Sequence, residues 1–184
     1  AKDSQSHNGA ATGSTPSVSY AYADGATGNT ARRTSMTYPN GRQIFIQYGA
    51  TGSQDDLIGR VASIQIQGEM QPAVSYTYAG AARNVKLTYN EPGVDLSYIQ
   101  ASGQPVGDAG DRYTGYDRFG RAVDMPWVKT ATNTTLDRCQ WGYDRSGNRT
   151  WKKNVVAPSN QDEHYSYDGL YQIKEFDRGN LNVN

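Results

Sequence analysis

The chain has 184 residues, 18 of them acidic and 18 basic, and only 36% are hydrophobic; that suffices for one modest core and leaves no clustered charge to draw it to nucleic acid. No apolar run approaches the roughly 18 residues that a membrane span needs, and a lone cysteine, Cys139, excludes an internal disulfide. Leucine is scarce while 14 tyrosines, 20 glycines and many threonines and asparagines are present, a bias that disfavours helix and points to an all-β chain.

Residues 1–15 are small and polar (AKDSQSHNGAATGST) and read as a flexible linker, not as a signal sequence. Together with the polar end GNLNVN, this start leads us to expect a piece of a longer protein whose export is directed from outside the sequence.

From 16 to 107 the sequence predicts degenerate β-hairpin repeats. Val18, Tyr20 and Tyr22 alternate with polar or small residues, and so do Ile44, Ile46 and Tyr48, then Ala62, Ile64 and Ile66, then Val74, Tyr76 and Tyr78. A period of two means antiparallel strands packed on one side and wetter on the other. Between the first two of these segments, Tyr38-Pro39-Asn40-Gly41 supplies a reversal, since Pro presets φ and Asn-Gly tolerates left-handed geometry. Helical periodicity is absent.

Residues 108–184 continue the array with its clearest copies. YDRFGRAV, YDRSGNRT and YDGLYQIK begin at Tyr116, Tyr143 and Tyr167, with spacings of 27 and 24 residues. Asp117, Asp144 and Asp168 sit where a turn uses a side chain to cap its own backbone; Gly120 and Gly147, three positions later, make positive φ cheap, and Gly169 serves the third copy. Arg121 follows the first turn. Tyrosines at equivalent places in successive hairpins are expected to meet as cross-strand aromatic pairs, each contributing on the order of 0.2–1 kcal/mol. Their hydroxyls are expected to find solvent or the turn Asp and Arg.

The pattern of Tyr-Asp, two variable residues, Gly, Arg or Asn and a short apolar strand resembles the YD repeats of the Rhs family, of insecticidal toxin-complex shells and of teneurins. The stretch YGYDRSGNRTWKKN followed by YSYDGLYQIKEFDRGNLN is similar to repeat arrays of very large bacterial surface proteins. The resemblance implies a twisted β-strip, one hairpin per repeat, which in larger relatives closes into a hollow shell around a C-terminal toxin or serves adhesion. It also implies a bacterial extracellular or cell-surface location. The Asp-dependent self-cleavage pattern of the Rhs core is not visible here, and 184 residues are too few for a closed shell. The piece is either one arc of a shell or presents its open sheet edges to other copies of itself or to flanking repeats.

The residues offer little for catalysis. Any Ser-His-Asp or Cys-His arrangement would need His7, in the polar start, or His164, a surface or turn histidine beside Asp162 and Glu163. Cys139 alternates with Trp141 and Tyr143 as an inert, buried thiol would. The adjacent carboxylates Asp55 and Asp56 would point to opposite faces of a strand, which suits a turn better than a glycosidase couple. Zinc spacing is missing, no EF-hand or nucleotide-loop spacing is present, and no metal or cofactor is expected; oxygen-rich turns leave weak calcium binding open. Asn133 and Asn148 begin Asn-x-Thr triplets that chance explains.

The reading is therefore of a non-enzymatic structural module that builds a shell wall or a self-assembling fibre. The alternative is a carbohydrate-binding or adhesion module in which Trp127, Trp141 and Trp151 form a glycan platform, although large aromatics on repeat strands more often serve the core.

Overall fold

Polar, Gly-bearing turns separate short alternating segments along the whole chain, so each segment pairs with the one just made. A computed structural model describes residues 2–4, 16–25, 31–100, 104–107 and 110–180. Among them are thirteen strands whose order in the sheet is their order in the sequence, the all-β antiparallel arrangement that the alternation predicts. The chain divides into two compact units, 1–84 with 89–92 and 85–88 with 93–184.

The first unit carries β1 (Lys2–Ser4), β2 (Ser17–Tyr22), β3 (Arg33–Thr37), β4 (Gln43–Gln47), the one-turn helix α1 (Gln54–Leu57), β5 (Ser63–Ile66) and β6 (Val74–Ala79). Its register sets Tyr20 beside Met36, Met36 beside Ile44 and Ile44 beside Ile66, while Ile46 meets Ile64 and Ile64 meets Val74. One face is thus aromatic and aliphatic. The other is mostly polar, with Phe45 set between Ser35 and Gln65: Ser19, Thr37 and Gln43 align, as do Gln47, Ser63 and Ser75.

Strand β7 (Arg83–Tyr89) is divided between the units. The second unit continues with β8 (Val94–Ser97), β9 (Asp124–Lys129), β10 (Thr134–Tyr143), β11 (Arg149–Asn154), β12 (Asp162–Tyr167) and β13 (Ile173–Gly179). Leu96 lies beside Trp127 and Met125 beside Cys139 on one face; Asp95 beside Val128 and Pro126 beside Arg138 occupy the other. A bulge between Thr135 and Asp137 keeps Thr135 on the same face as Arg138.

Burial is thin. Val74, Val85 and Leu96 are the buried hydrophobics among the described residues, because no helix longer than one turn packs on either face there.

Asp55 and Asp56 belong to the single helical turn α1, which is capped by the Ser53 hydroxyl accepting from the Asp56 N–H at 3.3 Å. Of the expected linker 1–15, only 2–4 is described, as β1; His7 and most of the Gly-rich stretch at 25–30 lie outside the described residues. No helix among the described residues is long and apolar enough to cross a membrane.

Candidate functional site: turn clasps between successive rungs

The three YD turns share one hydrogen-bond scheme. In the first, the Gly120 N–H donates to the Asp117 carbonyl at 2.9 Å and the Asp117 N–H to that of Arg121 at 3.0 Å, while the carboxylate accepts from the Phe119 and Arg121 N–H groups, both at 2.9 Å. The Arg121 guanidinium closes on the other carboxylate oxygen at 2.6 Å. Burial pushes the Asp117 carboxyl up, but the Arg121 and Phe119 donors outweigh it and hold the group below its ordinary range.

The second turn repeats the scheme with Asn148 in place of Arg: its side-chain amide and its backbone N–H each donate to Asp144 at 2.8 Å, and the amide is the main reason that this carboxyl is held low. In the third, Asp168 accepts from the Leu170 and Gln172 N–H groups at 2.8 and 3.0 Å. Gly120 and Gly147 take the positive φ position, at 80° and 91°, but its equivalent in the third turn is Tyr171, at φ 62°, and not Gly169, which stands directly after Asp168. The Tyr38–Arg42 turn has the same backbone pattern, with Gly41 at φ 83° and the Asn40 side chain accepting from the Arg42 N–H at 3.1 Å.

What the sequence did not reveal is how one rung grips the rung before it. The Tyr143 hydroxyl, beside the second YD turn, donates at 3.0 Å to the carbonyl of Ala122, just past the first; the Tyr167 hydroxyl donates at 2.8 Å to Arg149, just past the second. The first unit holds two equivalents, Tyr48 to the Arg33 carbonyl at 3.0 Å and Tyr78 to the Val61 carbonyl at 2.7 Å. In three of the four, an arginine one residue before the accepting carbonyl lies over the tyrosine ring: Arg32 over Tyr48, Arg60 over Tyr78 and Arg121 over Tyr143, at 5.1, 4.2 and 4.6 Å. Asn148 takes that place in the fourth. A hydroxyl bond of about 0.5–1.5 kcal/mol and a cation–π contact of about 0.5–1 kcal/mol therefore meet on one ring.

Acidic side chains hold these arginines in place. Asp56 pairs with Arg32 and Asp55 with Arg60, so the two carboxylates of α1 serve two different clasps. The Gly52 N–H, ahead of Arg32, is the main influence that lowers the Asp56 carboxyl. Arg121 reaches forward as well, donating to the Asp144 carbonyl at 3.1 Å.

Direct ring contacts are of more than one kind. Tyr165 and Phe176 do face each other across β12 and β13 at 5.4 Å, whereas Tyr76 and Tyr78 stack within one strand at 6.3 Å and Tyr98 meets Tyr116 at 4.4 Å. A regular rung-to-rung link comes from the hydroxyl tips, each of which reaches a carbonyl of the preceding rung. Variable separations of 15, 17, 21 and 18 residues between hydroxyl and carbonyl hide this link from a search for fixed spacing.

Trp127 and Trp141 share one face by their register through Asp137, Cys139 and Met125, and Trp151, paired with Gly142, lies on the opposite face. All three are half-buried, and Gly142 has no side chain because the Trp151 indole fills that space. Cys139 is half-buried, and burial pushes its thiol up. His164 is exposed on β12 between Trp151 and Asp177. Among the described residues no group of three or more His, Cys, Asp or Glu could hold a metal ion.

No protein-family model matches the chain, and no curated protein matches it. Solved structures do. The chain is similar to a chain of the Photorhabdus luminescens Tc holotoxin pore, with a TM-score of 0.60 and 18% identity over 86% of its residues. Chains of the TcdB2-TccC3 complex, alone and with Cdc42, give TM-scores of 0.59 at 16% identity, again over 86%. The fold is YD-repeat-like. This YD-repeat-like chain spans 7% of the length of each of these three chains.

Proposed function

We propose that the chain is a non-enzymatic structural repeat module, a wall segment of a larger bacterial protein that works outside the cell or at its surface. The observation that carries this reading is the tyrosine-to-carbonyl clasp, made four times, three of them with an arginine over the ring. In repeat architectures each unit is held chiefly by its neighbours, so a bond that recurs from rung to rung is the element that builds length. Its groups are spent on one another: hydroxyl on carbonyl, guanidinium on ring and carboxylate. The similarity in fold to toxin-complex chains supports the same reading, and a role as one arc of a shell follows from it.

Flanking repeats or further copies of the chain, joined through open strand edges, are the partners that such a module takes. Negative-stain microscopy of the native material tests this. Closed shells, walls or filaments are expected; discrete globular particles in which the chain forms a separately tethered lobe would refute it.

A further inference from the structure

Among the described residues the outer edge of β13 is unpaired, and every residue from Ile173 to Arg178 is exposed. One extra residue in the ladder with β12 decides what this strand presents. Phe176 lies opposite Tyr165 and Ile173 opposite Tyr167, so the two apolar side chains share a face although they are three positions apart. Glu175, opposite Ser166, takes the other face. Arg178 and Asp177 already have complementary neighbours on β12, Glu163 and His164. Lys174 and Glu175 do not. Glu175 accepts from the Ser166 hydroxyl at 3.2 Å, and neither residue belongs to an ion pair among the described residues.

The segment Ile173-Lys174-Glu175-Phe176 is its own antiparallel complement. Set against a second copy running the other way, with the centre between Lys174 and Glu175, each Ile173 faces a Phe176 and each Lys174 faces a Glu175. Apolar and opposite-charge pairs directly across a ladder are stabilising, and like charges there are destabilising. Neighbouring registers do worse. Centred on Phe176, the strands oppose Glu175 to Asp177 and Lys174 to Arg178, all like charges. Centred between Glu175 and Phe176, they oppose two side chains that lie on different faces, which a continuous sheet does not allow.

We infer that β13 is a docking edge for a second copy of this chain, joined antiparallel across a two-fold axis with Ile173 beside Phe176 and Lys174 beside Glu175 of the other copy. An exposed strand edge supplies the backbone groups for such an addition, and the side-chain pairs set its register. Because the same patch serves both copies, the contact closes on itself and joins two chains edge to edge instead of growing from head to tail. It does not rest on the wall-segment reading above.

The test is sedimentation equilibrium of the full chain and its charge variants. A single strand pair falls below the roughly 1,200 Å² of stable interfaces, so a weak dimer that fills with concentration is expected. Lys174→Glu and Glu175→Lys, each alone, set like charges opposite each other twice and should weaken association by about tenfold or more. An equal mixture of the two variants restores both opposite-charge pairs and should associate as strongly as the unmodified chain, as should the double variant by itself. Both positions are exposed, so the circular dichroism spectra should not change. A chain that stays monomeric at every concentration, single variants that associate undiminished, or a mixture that does not recover would overturn the inference. Shells or filaments in micrographs that are indifferent to these charges would also overturn it while leaving the wall-segment reading intact.

Discussion

At the scale of single residues, Tyr171 occupies a conformation that the other YD turns give to glycine. A non-glycine residue in the left-handed region costs about 1–2 kcal/mol, and its side chain is 62% exposed, so little packing is lost with it. Glycine returns part of that gain, about 0.5–1 kcal/mol, as unfolded-state entropy. Tyr171→Gly should thus stabilise the chain by about 0.5–1 kcal/mol in urea denaturation, and an unchanged or lower midpoint would show that the turn is not strained. The turn carboxylates set the response to acid. Asp117 and Asp144 are both held below their ordinary values. Groups lowered by folding add stability that is fully present above the unfolded carboxylate pKa, about 3.9, and is lost as pH falls through the folded value. Melting temperature should therefore be level from neutral pH to about pH 5 and drop below about pH 4. Asp144→Asn should be less stable at neutral pH and show a shallower acid limb; circular dichroism melts across the range check the slope.

At the scale of elements, the clasp makes a strand pair more than a backbone ladder. Tyr143→Phe leaves the Ala122 carbonyl without its donor while keeping the ring under Arg121, and a loss of about 0.5–1.5 kcal/mol is expected. Tyr167→Phe should cost a similar amount, whereas Tyr38→Phe, at a 37% exposed turn position, should cost little. Equal effects at all three sites, read from denaturant midpoints, would mean that the hydroxyl bonds do not tie the rungs. Half of this element was legible in advance. Asp and Gly three apart declare a turn because the chemistry is local, and the strands declare themselves by alternation. The clasp was not, since its donor and acceptor lie on different strands and their separation changes with the length of the intervening turn. The same reasoning explains Gly169, which looked like a turn glycine by composition although the hydrogen bonds place Tyr171 at the strained position. It also explains Trp151, which only the pairing with Gly142 sets on the far face.

At the scale of the molecule, a sheet so sparsely covered must draw its stability from lateral neighbours. Among the described residues no strand pairs with the outer edge of β13, where Ile173 and Phe176 are 61% and 54% exposed. Exposed apolar edges are templates for strand addition and a charge on them suppresses it. Ile173→Lys should lower concentration-dependent association in sedimentation experiments without changing the circular dichroism spectrum; identical association by the variant would place the contact elsewhere. The sequence by itself determined the all-β class, the succession of hairpins, and the Asp-Gly turns, because each depends on residues a few positions apart. Only the tertiary structure decided which face each tryptophan takes, which carbonyl each tyrosine reaches, and that Asp55 and Asp56 brace two clasps from one helical turn. Those outcomes rest on strand register and bulges, which shift a side chain to the other face with a single added residue and leave no mark in a linear pattern.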